Sequence, residues 1–171
     1  GQVVAGRSGR AMCQNQWREP FTWCRRQKWA KNGQKMTEVF DTIGLVARRG
    51  IDGAEETVGA VIDLVTQQGR NIILEEDTAV LVGDNVSERH AARASLGNLC
   101  DLVVVIGGDG SLLGVSREVA SSMTPVVGIN RGGLGFLAAV SPDALKTEFD
   151  KIWAGQHTIE DHFLLSAEVW H

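Results

Sequence analysis

A chain of 171 residues with 43% apolar content can form one packed domain, or one domain and part of another. No apolar run approaches the ~20 residues of a membrane-spanning helix, and Cys13, Cys24 and Cys100 fit neither a disulfide framework nor a zinc-ligand spacing. The net charge of −4 selects no polyanionic partner, but it is unevenly spread: residues 1–35 hold eight Lys/Arg against Glu19, or +7, so the rest of the chain carries −11.

That compositional break puts a seam at Met36. Upstream, Trp17, Trp23 and Trp29 recur every six residues, a spacing that matches neither a helix face nor a strand face. Residues 1–35 are expected to be a basic, tryptophan-bearing extension outside the fold, with Met36 as the natural start. A nucleic-acid arm and a transit segment are the alternatives.

Beyond Met36, Thr42–Ala47 reads as a strand and Gly50 to Gly53 as a turn. Glu55–Gln68 carries Val58, Val61, Ile62 and Val65 at helical spacing, and Gly69 stops that helix. Asn71–Glu75 is a second strand, followed by a solvated connection at Glu75-Glu76-Asp77. Thr78–Val82 fits helix or strand, and Glu88–Leu96 suggests a weak helix. Asp101–Ile106 is a third strand, followed by a glycine loop and a helix over Ser111–Ser121. Pro125–Ile129 is a fourth strand; Gly132, Gly133 and Gly135 then interrupt the pattern, and Pro142 precedes a helix over Asp143–Ala154. Strands alternating with helices predict an α/β, Rossmann-like, mostly parallel sheet with helices on both faces over residues 36–156. At the end, Phe163, Leu165, Ala167 and Val169 share one face of a strand that needs a sheet to join. Residues 157–171 therefore read as the start of a C-terminal β-rich domain, the rest of which is missing.

The chemistry concentrates behind the third strand. Gly107-Gly108-Asp109-Gly110 places a carboxylate among glycines at the carboxyl end of a parallel strand, where open α/β sheets bind ligands. Glycines let backbone N–H groups approach a polyanion, and Ser111 is the expected cap of the following helix. A carboxylate there suits holding a metal or taking a proton from an attacking hydroxyl, which points to a phosphotransferase acting on a nucleotide or sugar. A plain tight turn is the alternative. The block Gly128 to Phe136 begins on the same rim. Asn130 can donate and accept hydrogen bonds; Phe136 either stacks on a base or belongs to the core; Arg131 meets phosphate or solvent. His90, His157, His162 and His171 form no metal or triad pattern, Glu160 and Asp161 read as solvated, and Cys100 as a small core residue in a protein of the reducing cytoplasm.

Gly107-Gly108-Asp109-Gly110-Ser111-Leu112-Leu113-Gly114, with Gly128-Ile129-Asn130-Arg131-Gly132 and Leu134-Gly135-Phe136-Leu137, resembles bacterial NAD kinase. The strand at Ile43-Gly44-Leu45-Val46 and the segment His162-Phe163-Leu164-Leu165 are similar too, so the likeness runs from about Met36 to Val169. The GGDG loop alone is shared with diacylglycerol kinases and phosphofructokinases; the asparagine–glycine–LGF block is more specific. The resemblance implies phosphorylation by ATP, or polyphosphate in some members, of the 2′-hydroxyl of the NAD adenosine ribose, giving NADP. By it Asp109 is the proton acceptor, Asp109, Gly110, Asn130 and Phe136 bind the dinucleotide, and a divalent cation, normally Mg2+, assists. It implies small-molecule nucleotides as partners, a homo-oligomer in the complete enzyme, and neither nucleic acid nor membrane. A lipid or sugar kinase of the GGDG superfamily and a non-catalytic nucleotide-binding fragment are the rivals. Three departures stand out. The family's Asn-Glu pair and Thr/Gly/Ser-rich loop do not occur in this chain, Gly114 stands where some members carry a basic residue, and residues 1–35 match no family feature. Little or no kinase activity is expected of the 171 residues by themselves.

Overall fold

The structure is a computed structural model; it describes the backbone of residues 2–8 and residues 40–83, 89–131, 135–138 and 140–164. The three tryptophans of the basic segment, Cys13, Cys24, Gly132, Gly133, His171 and the strand face expected at Leu165, Ala167 and Val169 lie outside the described residues. In chain order the elements are β1 (Gln2–Ser8), β2 (Thr42–Ala47), α1 (Ala54–Gln67), β3 (Asn71–Glu75), α2 (Glu76–Val82), β4 (Arg89–Ala91), α3 (Arg93–Leu99), β5 (Leu102–Gly107), α4 (Asp109–Val119), β6 (Pro125–Asn130), α5 (Leu145–Trp153) and β7 (Thr158–Leu164).

The strands join in one sheet of order β4-β3-β2-β5-β6-β1-β7. The five from β4 to β6 are all parallel, as the alternating pattern predicts. From central β2 the chain steps outward to β3 and β4, then returns to build β5 and β6 on the other side. This reversal opens a crevice at the carboxyl ends of β2 and β5, the place where ligands settle in such sheets. The Asp101 carboxylate closes the opposite ends, accepting the N–H groups of Asp41 at 3.1 Å and Thr42 at 2.9 Å.

Both faces of the sheet are covered, which is why its strands are apolar at successive positions rather than alternating. Ile43, Leu45, Leu102, Val104, Ile106, Val127 and Ile129 pack with α1, α2 and α5 on one side. Val46, Val103, Val105 and Val126 pack with Leu96 of α3 and with Leu112, Val115 and Val119 of α4 on the other. In α1 the valine stripe is wholly buried, Glu55 and Glu56 sit favourably in the first turn, and the chain stops at Gly69 with φ +67°.

The structure differs from the sequence expectation in four places. Gln2–Ser8, expected outside the fold, forms β1, antiparallel to β6 (Val4 beside Val126) and parallel to all of β7. The connection expected at Glu75-Glu76-Asp77 is instead the end of β3 and the first turn of α2, and Glu75 is only 3% exposed. Its carboxylate accepts the Thr78 N–H and hydroxyl, capping α2, and receives the Arg93 guanidinium at 3.0 and 2.7 Å. The weak helix expected over Glu88–Leu96 resolves into β4 and then α3. The cap of α4 is Gly108, with Ser111 inside the first turn, its N–H bonded to the Gly108 carbonyl at 3.0 Å.

Candidate active site

β5 delivers the backbone to Gly107 and α4 starts at Asp109, so Gly108 is the single residue between strand and helix. Gly107 is required by the chain itself, because a Cβ there would stand 2.7 Å from the Ser111 hydroxyl oxygen. Gly108 and Gly110 are different: a Cβ on either meets nothing within 4 Å. Their missing side chains leave open space above the loop.

The Asp109 residue is half-buried and its carboxylate reaches the segment that follows β6. Its Oδ2 accepts the Phe136 N–H at 2.9 Å, and its Oδ1 accepts those of Leu137 at 3.1 Å and Ala138 at 3.3 Å. These bonds, that from Phe136 foremost, hold the carboxyl below the ordinary aspartate range, so it is ionised at neutral pH. Two more glycines serve this docking. A Cβ on Gly135 would sit 2.7 Å from Asp109 Oδ1, and one on Gly128 would come within 3.0 Å of the Ala138 backbone. The GGDG loop and the LGF segment therefore meet on one rim. Phe136 is 89% exposed, which removes the core-phenylalanine alternative.

Asn130 lies at the end of β6 beside Gly107, its N–H bonded to the Val140 carbonyl at 2.8 Å. Arg131, expected to meet phosphate or solvent, is held against α1. Its Nε donates to the Thr57 hydroxyl at 2.7 Å and its Nη2 lies 3.7 Å from Glu56, both in α1. The guanidinium occupies the place of an absent side chain at Gly53, where a Cβ would be 2.2 Å from Nη1. This latch between the β2–α1 turn and the β6 loop escapes sequence reasoning; the one local signal was a glycine directly before an amphipathic helix.

An apolar pocket of about 110 Å³ opens beside the loop, lined by Leu112, Leu113 and Ser116 of α4, Leu137, and residues 162–164 of β7. Leu113 is one turn beyond Asp109 on the same side of α4. The Ser116 hydroxyl is buried and has no hydrogen-bond partner. Among the described residues no group of three His, Cys, Asp or Glu could hold a metal ion. With three backbone N–H groups on the Asp109 carboxylate, a Mg2+ ion would draw its shell chiefly from substrate phosphates and water, as that ion commonly does. No helix among the described residues is long and apolar enough to cross a membrane.

A doubly wound sheet carrying a glycine loop and a helix-starting carboxylate at its point of reversal defines an α/β domain of the ligand-binding class. Residues 43–157 match the family model of the ATP-NAD kinase N-terminal domain, and the chain belongs to that family. It is 43% identical over 132 residues to an NAD kinase of Chromohalobacter salexigens, covering 77% of this chain and 44% of the relative. NAD kinases of Pseudomonas fluorescens and Hahella chejuensis are 41% and 42% identical over 133 residues, with the same coverage. The chain thus spans less than half the length of these relatives. The crystal structure of yeast NADH kinase complexed with NADH superposes with a TM-score of 0.58 at 18% identity, covering 69% of this chain and 39% of that one, a likeness of fold.

Proposed function

We propose that this chain carries the nucleotide-binding half of an NAD kinase, which transfers the terminal phosphoryl group of ATP to the 2′-hydroxyl of the NAD adenosine ribose. The observation that carries the proposal is the junction of Asp109 with Phe136–Ala138, because it presents an ionised carboxylate, an exposed aromatic ring and open space together. Phe136 offers a face for the adenine, and the pocket between Leu113 and Phe163 offers the apolar wall. Asn130 and the Gly110 backbone complete the polar contacts to the dinucleotide.

In transfer, the acceptor oxygen bonds to the γ-phosphorus, the bond from that phosphorus to the β–γ bridging oxygen breaks, and ADP leaves. The hydroxyl proton passes to Asp109. A low-pKa carboxylate is a weak base, but phosphoryl transfer runs through a loose transition state in which positioning matters most. Each carboxylate oxygen accepts about two bonds, so Oδ2, which takes only the Phe136 N–H, keeps a lone pair for the hydroxyl. When bound, Mg2+ held by the donor phosphates would neutralise charge on the transferring group. Polyphosphate is an alternative donor.

The proposal places the nucleotide-binding unit at residues 36–156 and the beginning of a β-rich part at 157–171, in a cytoplasmic protein that self-associates when complete. Because the matched part covers only 44% of the relatives, the proposal gives the 171 residues binding with little turnover. The test is calorimetry with NAD, fructose 6-phosphate and micellar diacylglycerol, followed by product analysis with ATP. NAD alone should bind, and Phe136→Ala should weaken it about tenfold, as loss of a stacking contact does. Binding of either other acceptor without NAD binding would replace this assignment by the lipid or sugar kinase.

A further inference from the structure

Arg48 directly follows β2. Its N–H donates to the Ile106 carbonyl at 3.1 Å, extending the β2–β5 ladder one residue past the pair Ala47–Ile106. This sets Arg48 beside Gly107, which pairs in turn with Asn130 of β6. Strand alternation puts all three on the face that carries α3 and α4, because Val46, Val105 and Val126 pack there. The position a Cβ of Gly107 would take is 3.7 Å from the Arg48 Cβ and 2.7 Å from the Ser111 hydroxyl. The result is a notch with Gly107 and Ser111 as its floor and Arg48 and Asn130 as its walls, opening where the sheet reverses between β2 and β5.

The neighbouring arginines are committed elsewhere. Arg49 pairs with Asp77 at 2.9 Å, Arg93 with Glu75 at 2.7 Å, and Arg131 is latched to α1. Arg48 is exposed, and among the described residues it has no ion pair or side-chain hydrogen bond. Its backbone is held firmly, because the Thr78 hydroxyl accepts the Ala47 N–H at 2.8 Å and itself donates to the buried Glu75 carboxylate. An uncommitted arginine on a firmly held backbone thus stands at the crevice, on the strand end beside the loop that carries Asp109.

We propose that Arg48 binds the phosphate chain of the phosphoryl donor in this notch. The ligand class is an oligophosphate, either a nucleoside triphosphate or inorganic polyphosphate, whose paired oxygens match the guanidinium fork. Calling that ligand the donor rests on the kinase reading; the anion site does not.

The test titrates inorganic tripolyphosphate, ATP and NAD separately into the full chain by calorimetry at low salt. Tripolyphosphate and ATP should compete, and Arg48→Ala should weaken both about tenfold or more while leaving NAD unchanged. Arg48→Lys should weaken them less, and Arg49→Ala should change tripolyphosphate affinity less than about twofold, its charge being spent on Asp77. A clear preference for ATP marks the nucleotide as the ligand, and equal affinity marks polyphosphate. Circular dichroism melting checks that each variant is folded. The site is refuted by no tripolyphosphate binding to the parent, by undiminished binding to folded Arg48→Ala, or by an equal loss in Arg49→Ala. Tripolyphosphate binding that depends on Arg48, with no binding of NAD, overturns the kinase reading and leaves the anion site standing.

Discussion

The Asp109 carboxylate accepts backbone N–H groups from Phe136, Leu137 and Ala138, and those bonds lower its pKa. A group whose folded pKa lies below its unfolded value contributes stability above the unfolded value and loses it as pH falls through the folded one. Docking of the LGF segment should therefore persist from neutral pH to the ordinary aspartate value of about 3.9 and be released below it. Amide chemical shifts of Phe136 and Leu137 followed against pH should share a midpoint under that value; one above it would mean the bonds do not form. Asp109→Asn places an amide N–H against one or more of those donors and removes the proton acceptor. In the complete enzyme it should cut NADP formation by about 10²–10⁴-fold, with circular dichroism showing that the variant is folded at the assay temperature. Cys100 makes a contrasting case. Burial, helped by the Asp101 charge, pushes its thiol up to about 12, so it should resist iodoacetamide at pH 8 until the chain is unfolded, as peptide mapping would reveal.

At the level of the elements, two devices link pieces that are distant in sequence. Gly53 has φ +69° and its open side is filled by Arg131. Gly53→Ala should cost at least about 1 kcal/mol from the left-handed backbone alone, with the clash added. Arg131→Ala in the same chain should recover the clash but not the backbone cost, so urea denaturation should give a double variant less destabilised than the sum of the singles. Glu75→Ala should cost about 3 kcal/mol, the low end for breaking a buried ion pair, since Arg93 is 36% exposed and can turn to water. Elements whose signals are local were legible in the sequence. β2, β3, β5 and β6 are apolar runs bounded by glycine, proline or acid, and α1 has a valine stripe. α2 was ambiguous because its cap is Glu75, whose charge is balanced by Arg93 eighteen residues on. The site was legible as far as the glycines around Asp109 and the exposed Phe136. The hydrogen bonds joining them, and the Arg131 latch, depend on which loops the sheet reversal brings together.

For the whole molecule, β1 is the element that sequence patterning missed most completely. Its pairing partners, β6 and β7, lie in the second half of the chain, and no local period announces them. Among the described strands β7 pairs only with β1. Removing residues 1–35 should leave the five parallel strands cooperative while hydrogen exchange of Thr158–Leu164 accelerates; unchanged protection of β7 would contradict that pairing. The exposed Leu113, Phe136 and Phe163 belong to the surface that the proposed nucleotide covers in part. The most direct measurement of the central claim is an NMR titration of the chain with NAD. The account predicts that the amides of Asp109, Gly110, Phe136 and Leu137 shift together along one binding curve, and that Asp109→Ala abolishes the response. Shifts confined to other faces of the sheet, or no shift at saturating NAD, would contradict it.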